Sequence, residues 1–166
     1  MTTTTTPTHT FDPELDLTFT REVDVAPGLV WMAWTTPEHL MPWFAPKPYE
    51  TIDCEIDLRP GGRFRTVMRS PEGEEMGGGA GCYLEVIEHE RLTWTSALGP
   101  GFRPNPVDDL AFTAVIQLEP TADGGTRYTA TAIHRDPEGC RRHAEMGFED
   151  GWGTALTQLV DHVKTL

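Results

Sequence analysis

Serine is almost missing from this chain of 166 residues. Ser70 and Ser96 are the only two, and neither stands in the Gly-x-Ser-x-Gly elbow that presents a nucleophile, so serine hydrolysis is disfavoured. Cysteine is scarce as well: Cys54, Cys82 and Cys140 are odd in number and widely spaced, which argues against a disulfide framework and fits a reducing cytoplasm. The start Met-Thr-Thr-Thr-Thr-Thr has neither the basic region nor the apolar run of an export signal. Basic residues run short, 13 against 26 acidic for a net charge of −13, which argues against nucleic acid or an anionic membrane as the main partner, because both need a cationic footprint. No apolar run approaches the ~20 residues of a membrane span.

Other chemistries fail on spacing. The glycine-rich run from Glu74 to Gly81 lacks the Gly-Lys-Ser/Thr that leads into a helix in a phosphate-binding loop, and Gly81 leads into strand residues. Zinc binding through Cys140 and His143 lacks a second ligand pair, and His9, His39, His89, His134 and His162 show no ligand spacing. Neither a metal nor a cofactor is expected.

What the chain does have is pattern. From Pro137 to the C-terminus it reads as one long amphipathic helix: Phe148, Trp152, Ala155, Leu156, Leu159, Val160 and Val163 recur at spacings of three and four. Asp136 followed by Pro137 is a start signal, an acceptor for orphan amides and then a ring preset to helical φ. Residues 1–13, rich in threonine, have nothing to bury and read as a disordered tail, leaving 14–166 as a single domain.

Strands fill the middle. Leu17, Phe19, Arg21, Val23 and Val25 alternate with polar residues and predict a strand over 16–25. Ala26-Pro27 and Thr36-Pro37 then open two short helices. Turn signals at Arg59-Pro60-Gly61-Gly62, Pro71-Glu72-Gly73, Glu88-His89-Glu90 and Asp123-Gly124-Gly125 separate strands expected near 51–58, 63–70, 81–88, 91–98, 109–119 and 126–134. The order predicts an α+β fold, a helix gripped by a curved antiparallel sheet of about seven strands. Alternation turns Phe64, Thr66 and Met68, Cys82, Leu84 and Val86, Phe112, Ala114, Ile116 and Leu118, and Tyr128, Ala130, Ala132 and His134 toward that helix, and the two small residues Ala130 and Ala132 between polar-tipped rings are expected to border a cavity beside it.

Thr20-Arg21-Glu22-Val23, Val30-Trp31-Met32-Ala33-Trp34-Thr35, Pro37-Glu38-His39-Leu40, Trp43-Phe44, Pro60-Gly61-Gly62-Arg63-Phe64, Gly81-Cys82-Tyr83-Leu84-Glu85-Val86, Glu90-Arg91-Leu92-Thr93-Trp94-Thr95, Gly124-Gly125-Thr126-Arg127-Tyr128 and Met146-Gly147-Phe148 with Gly151-Trp152, Leu156 and Leu159 form an ordered series. Over about residues 16–164 it resembles the activator of heat-shock-protein-90 ATPase homologue family, a START-like (SRPBCC, helix-grip) branch. That resemblance implies the fold more firmly than the function, because one scaffold hosts many chemistries. Two departures, the glycine-rich 74–81 and the long connection 98–106, are candidates for a cavity mouth or for plain surface loops.

Three functions follow as expectations. The first is binding of a small hydrophobic molecule in a cavity between sheet and last helix, with Trp43, Phe64, Met68, Trp94, Phe112, Tyr128, His134, Phe148 and Trp152 as ligand-binding candidates. The second is a cyclase- or aromatase-like enzyme on an aromatic or polyketide-like substrate, as the superfamily implies. It would use His134 as the candidate acid or base with Tyr128 and either Glu145 or Glu149 nearby. Against it stands a hydrogen-bonded, inert histidine ending a strand, which the absence of any partner spacing favours. The third is a co-chaperone-like ATPase activator, ranked last because eukaryotic members carry a separate N-terminal domain not seen in this sequence. A homodimer is left open.

Overall fold

The computed structural model describes residues 10–166, so residues 1–9 of the expected tail lie outside the described residues. Just before the first strand the Asp12 carbonyl accepts from the N–H groups of Leu15 and Asp16 at 3.0 and 2.8 Å, a closed turn.

The chain then runs β1 (Asp16–Val23), α1 (Pro27–Thr35), α2 (Pro37–Leu40), β2 (Glu50–Ile56), β3 (Arg63–Arg69), β4 (Glu75–Gly77), β5 (Gly81–Ile87), β6 (Arg91–Thr95), β7 (Leu98–Gly99), β8 (Arg103–Pro104), β9 (Phe112–Pro120), β10 (Thr126–His134), α3 (Pro137–Glu145) and α4 (Phe148–Val163). Seven strands pair antiparallel in the order β1-β10-β9-β6-β5-β3-β2, with β4 added on β3 and β7 and β8 forming a separate two-stranded ribbon. This is the predicted curled antiparallel sheet with a helix against its inner face. Among the described residues, no helix is long and apolar enough to cross a membrane.

Local chemistry sets the helix starts. Pro27 and Pro37 occupy first-turn positions after residues in extended conformation, where a missing N–H costs nothing. At α3 the Asp136 carboxylate accepts from the Gly139 N–H at 2.7 Å, which holds it below the usual carboxylate range. On α4 the predicted face is the buried one: Phe148, Ala155, Leu156, Leu159 and Val163 join Phe19, Phe64, Leu92, Trp94, Ile116, Leu118 and Tyr128 in one core cluster. Burying a side chain such as Leu159 contributes about 1.5–3 kcal/mol.

Three expectations are corrected. The single helix from Pro137 is two, because Gly147 sits at φ 90°, a left-handed conformation that breaks the helical ladder between α3 and α4. Alternation fails in β5, where a register shift between Tyr83 and Glu85 leaves Leu84 unpaired. Cys82 pairs with Arg63 and Thr95 on the outer side, whereas Tyr83 takes the inner face and stacks on Phe64 at 5.3 Å between ring centres. Finally, Ala130 and Ala132 face inward as expected but border no void. Ala130 lies between Phe19 of β1 and Ile116 of β9, and large neighbours fill the room that small residues leave.

Candidate functional site

Between the sheet and α4 the inner surface lines a half-open pocket of about 340 Å³. Each element contributes a side of it. Trp34 of α1 and Trp43, Phe44 and Pro46 after α2 form one end; Met68 of β3, Trp94 of β6, Phe112 of β9 and Tyr128 of β10 form the floor; His143 of α3, Met146, Gly147, and Phe148, Gly151, Trp152, Ala155 and Leu156 of α4 form the roof. The rings support one another edge to face: Trp34 meets Trp43 with centres 4.9 Å apart, and Phe148 meets Trp152 at 5.4 Å.

Seven of the sequence-derived candidates, Trp43, Met68, Trp94, Phe112, Tyr128, Phe148 and Trp152, therefore share one wall. Phe64 and His134 stand one layer behind it. Phe64 supports Trp94 at 5.1 Å between ring centres, and His134 is 6 % exposed beneath His143. Glu145 and Glu149 are exposed and do not line the cavity. Nor do the glycine-rich loop and the 98–106 connection form its mouth. They flank a separate surface cleft of about 780 Å³, tied together by the Asn105 amide, which donates to the carbonyls of Ala80 and Ser96 at 3.0 Å each.

Few polar atoms reach this space. The Trp34 Nε1–H donates to the Tyr128 hydroxyl at 3.2 Å, and burial pushes the Tyr128 phenol well above its ordinary range, so it stays protonated. Trp94 Nε1 and the Tyr83 hydroxyl are buried with no hydrogen-bond partner among the described residues.

One polar pair was missed by the sequence reading, which weighed His143 only as a zinc ligand beside Cys140. His134 Nδ1 lies 2.8 Å from the Leu15 carbonyl, and its Nε2 lies 2.8 Å from His143 Nδ1. A carbonyl only accepts, so His134 Nδ1 carries the proton. With both rings neutral, His134 Nε2 then accepts from His143 Nδ1–H, and His143 Nε2 is left as a bare lone pair. Burial, then the neighbouring His134, pushes His143 down to about 4, so it is neutral at pH 7. The signal was a turn: after β10 the chain reverses at Arg135-Asp136, and α3 returns past the strand end, bringing residue 143 beside 134. Among the described residues no three His, Cys, Asp or Glu side chains gather to hold a metal ion.

Solved structures share this architecture. A protein from Nitrosomonas europaea is 50% identical, with TM-score 0.89 over 93% of this chain and 97% of that one. One from Mycobacterium smegmatis is 28% identical, with TM-score 0.73 over 89% and 90%. An AHSA1-like protein from Aeromonas hydrophila, 20% identical with TM-score 0.67 over 91% and 93%, shares the fold. None of the curated proteins matches. The family model described as Activator of Hsp90 ATPase homolog 1-like protein matches residues 24–164, and with the helix-grip architecture this shows that the chain belongs to that START-like family.

Proposed function

We propose that this protein binds a small apolar molecule in the cavity between the sheet and α4. The observation that carries the reading is the wall itself: a space of about 340 Å³ edged by aromatic rings from six elements, where a packed domain would place aliphatic side chains. That volume is at the small end of the about 300–1,000 Å³ of ligand cavities, room for about two or three rings. Binding would remove apolar surface from water at about 25 cal/mol per Å².

Gly151 offers a clean test. It lines the cavity, and a Cβ added there meets no atom within 4 Å. Gly151→Leu is expected to fill space and keep the fold, since leucine also favours a helix over glycine by about 1 kcal/mol. Titration with a neutral, environment-sensitive dye such as Nile red is expected to give saturable one-to-one binding to the parent and none to the variant. Absence of binding by the parent, or equal binding by both, would overturn the reading.

A second reading, proton transfer on a bound aromatic or polyketide-like substrate, has one observation behind it. A neutral His143, its tautomer fixed by His134, belongs to the cavity lining, the arrangement a general base needs. Turnover of such a substrate lost in His143→Phe would establish it, and none in the parent would remove it.

A further inference from the structure

The apolar wall says nothing of which end of a ligand goes where. His143 supplies the polar reference point. His143 belongs to the pocket lining and its Nδ1 is committed to His134 behind the wall, so Nε2 is the ring nitrogen left to meet a ligand; no partner for it is found among the described residues. The ring is held by more than that bond: Phe112 and Phe148 pack on it with centres 4.7 and 5.2 Å away. Its direction is therefore fixed before any ligand arrives, which lowers the entropy cost of using it.

The hydrogen-bond relay from the Leu15 carbonyl through His134 makes Nε2 an acceptor and nothing else. A carbonyl or ether placed there would set lone pair against lone pair. A carboxylate would add burial of a charge within a chain of net charge −13 and has no proton to donate. A neutral hydroxyl loses least, and a flat ring bearing it fits a wall of edge-to-face aromatics. We propose that His143 Nε2 is the ligand-reading acceptor of this cavity, held in register by His134 as a positioning residue, and that the ligand class is a compact phenol-type aromatic.

This rests on the apolar-ligand reading above, so the experiment separates the two. Full-length protein is titrated with 2-naphthol and with 2-methylnaphthalene, which replaces the hydroxyl by a methyl of similar size. The quantity read is the ratio of the two Kd values, in the parent and in His143→Phe. Replacing histidine by phenylalanine keeps a ring against Phe112 and Phe148 and removes the acceptor. The ratio is expected to move about tenfold against 2-naphthol in the variant, the size of one net hydrogen bond, because only 2-naphthol carries a donor for the acceptor that is removed. For the positioning role, long-range proton–nitrogen correlation spectra of the parent are expected to show His143 with Nδ1 protonated and Nε2 bare. His134→Phe is expected to lose that single tautomer and part of the 2-naphthol preference. Identical ratios in parent and His143→Phe, or a parent His143 protonated at Nε2, would overturn this inference while leaving the cavity reading standing. Binding of neither probe by the parent would overturn both.

Discussion

The side-chain amide of Gln158 on α4 clamps the backbone that follows Trp43. Its nitrogen donates to the carbonyls of Trp43 and Ala45, and its oxygen accepts from the Lys47 N–H, all at 3.0 Å. One side chain thus satisfies three backbone groups that no regular element pairs, and it fixes the segment that carries Trp43, Phe44 and Pro46 to the cavity wall.

Gln158→Leu removes all three bonds at once and is expected to cost about 1–3 kcal/mol. The sharper readout is hydrogen exchange: the Lys47 amide is expected to exchange faster in the variant. Unaltered exchange there would mean that the loop is held by other contacts.

Truncations along α4 are expected to separate core from cavity. Leu159→Ala empties a fully buried site and is expected to cost about 2–5 kcal/mol. Trp152, which the helical spacing puts on the apolar face of the last helix, is half-buried on the cavity roof. Trp152→Ala is expected to cost less than Leu159→Ala, and chemical denaturation of the two variants side by side decides it.

On the outer face Arg91 is nearly enclosed, its side chain 7% exposed, and it grips Glu85 with two bonds of 2.6 and 2.9 Å while Thr93 donates to the same carboxylate. Glu85→Ala would strand that cation, at an expected cost of about 3–5 kcal/mol. Replacing Arg91 by Met in the same chain is expected to recover much of the loss, as a double-mutant cycle would report.

Ala130→Leu is expected to destabilise by about 1–3 kcal/mol through overpacking between Phe19 and Ile116. Had the alanine bordered a void, the larger side chain would be tolerated. The denaturant midpoint distinguishes the cases.

The His143 imidazole gives a pH signature. Its folded value, about 4, is below the ordinary 6.5, so between these limits the unfolded chain binds the proton and the folded chain does not. Its contribution to stability is therefore full above about 6.5 and is lost as pH falls toward about 4. His143→Phe is expected to flatten that part of the stability profile relative to the parent. Parallel profiles would contradict it.

The sequence determined by itself whatever depends on near neighbours. The period-two runs of β1, β9 and β10 name their inward faces, because in a strand the direction of a side chain follows from position alone. Asp136-Pro137 marks the start of α3, because a cap is a bond between residues three apart. The three-four spacing of Phe148, Trp152, Ala155, Leu156, Leu159 and Val163 names the packed face of α4. From these the grip of sheet on helix follows. Tertiary structure decided the rest. A glycine is compatible with a helix or with its break, and only the need of α4 to lie in the sheet while α3 returns past β10 selects the left-handed turn at Gly147. The Tyr83 side chain takes the inner face through a bulge whose register is set by β6, not by its own strand. Whether small residues make a void depends on what stands across from them, so Ala130 closed on Phe19 while the space opened instead among larger rings. The His134–His143 pair joins residues nine apart through the reversal at the end of β10, a distance no helical or strand period connects, and so this contact was invisible until the chain was folded.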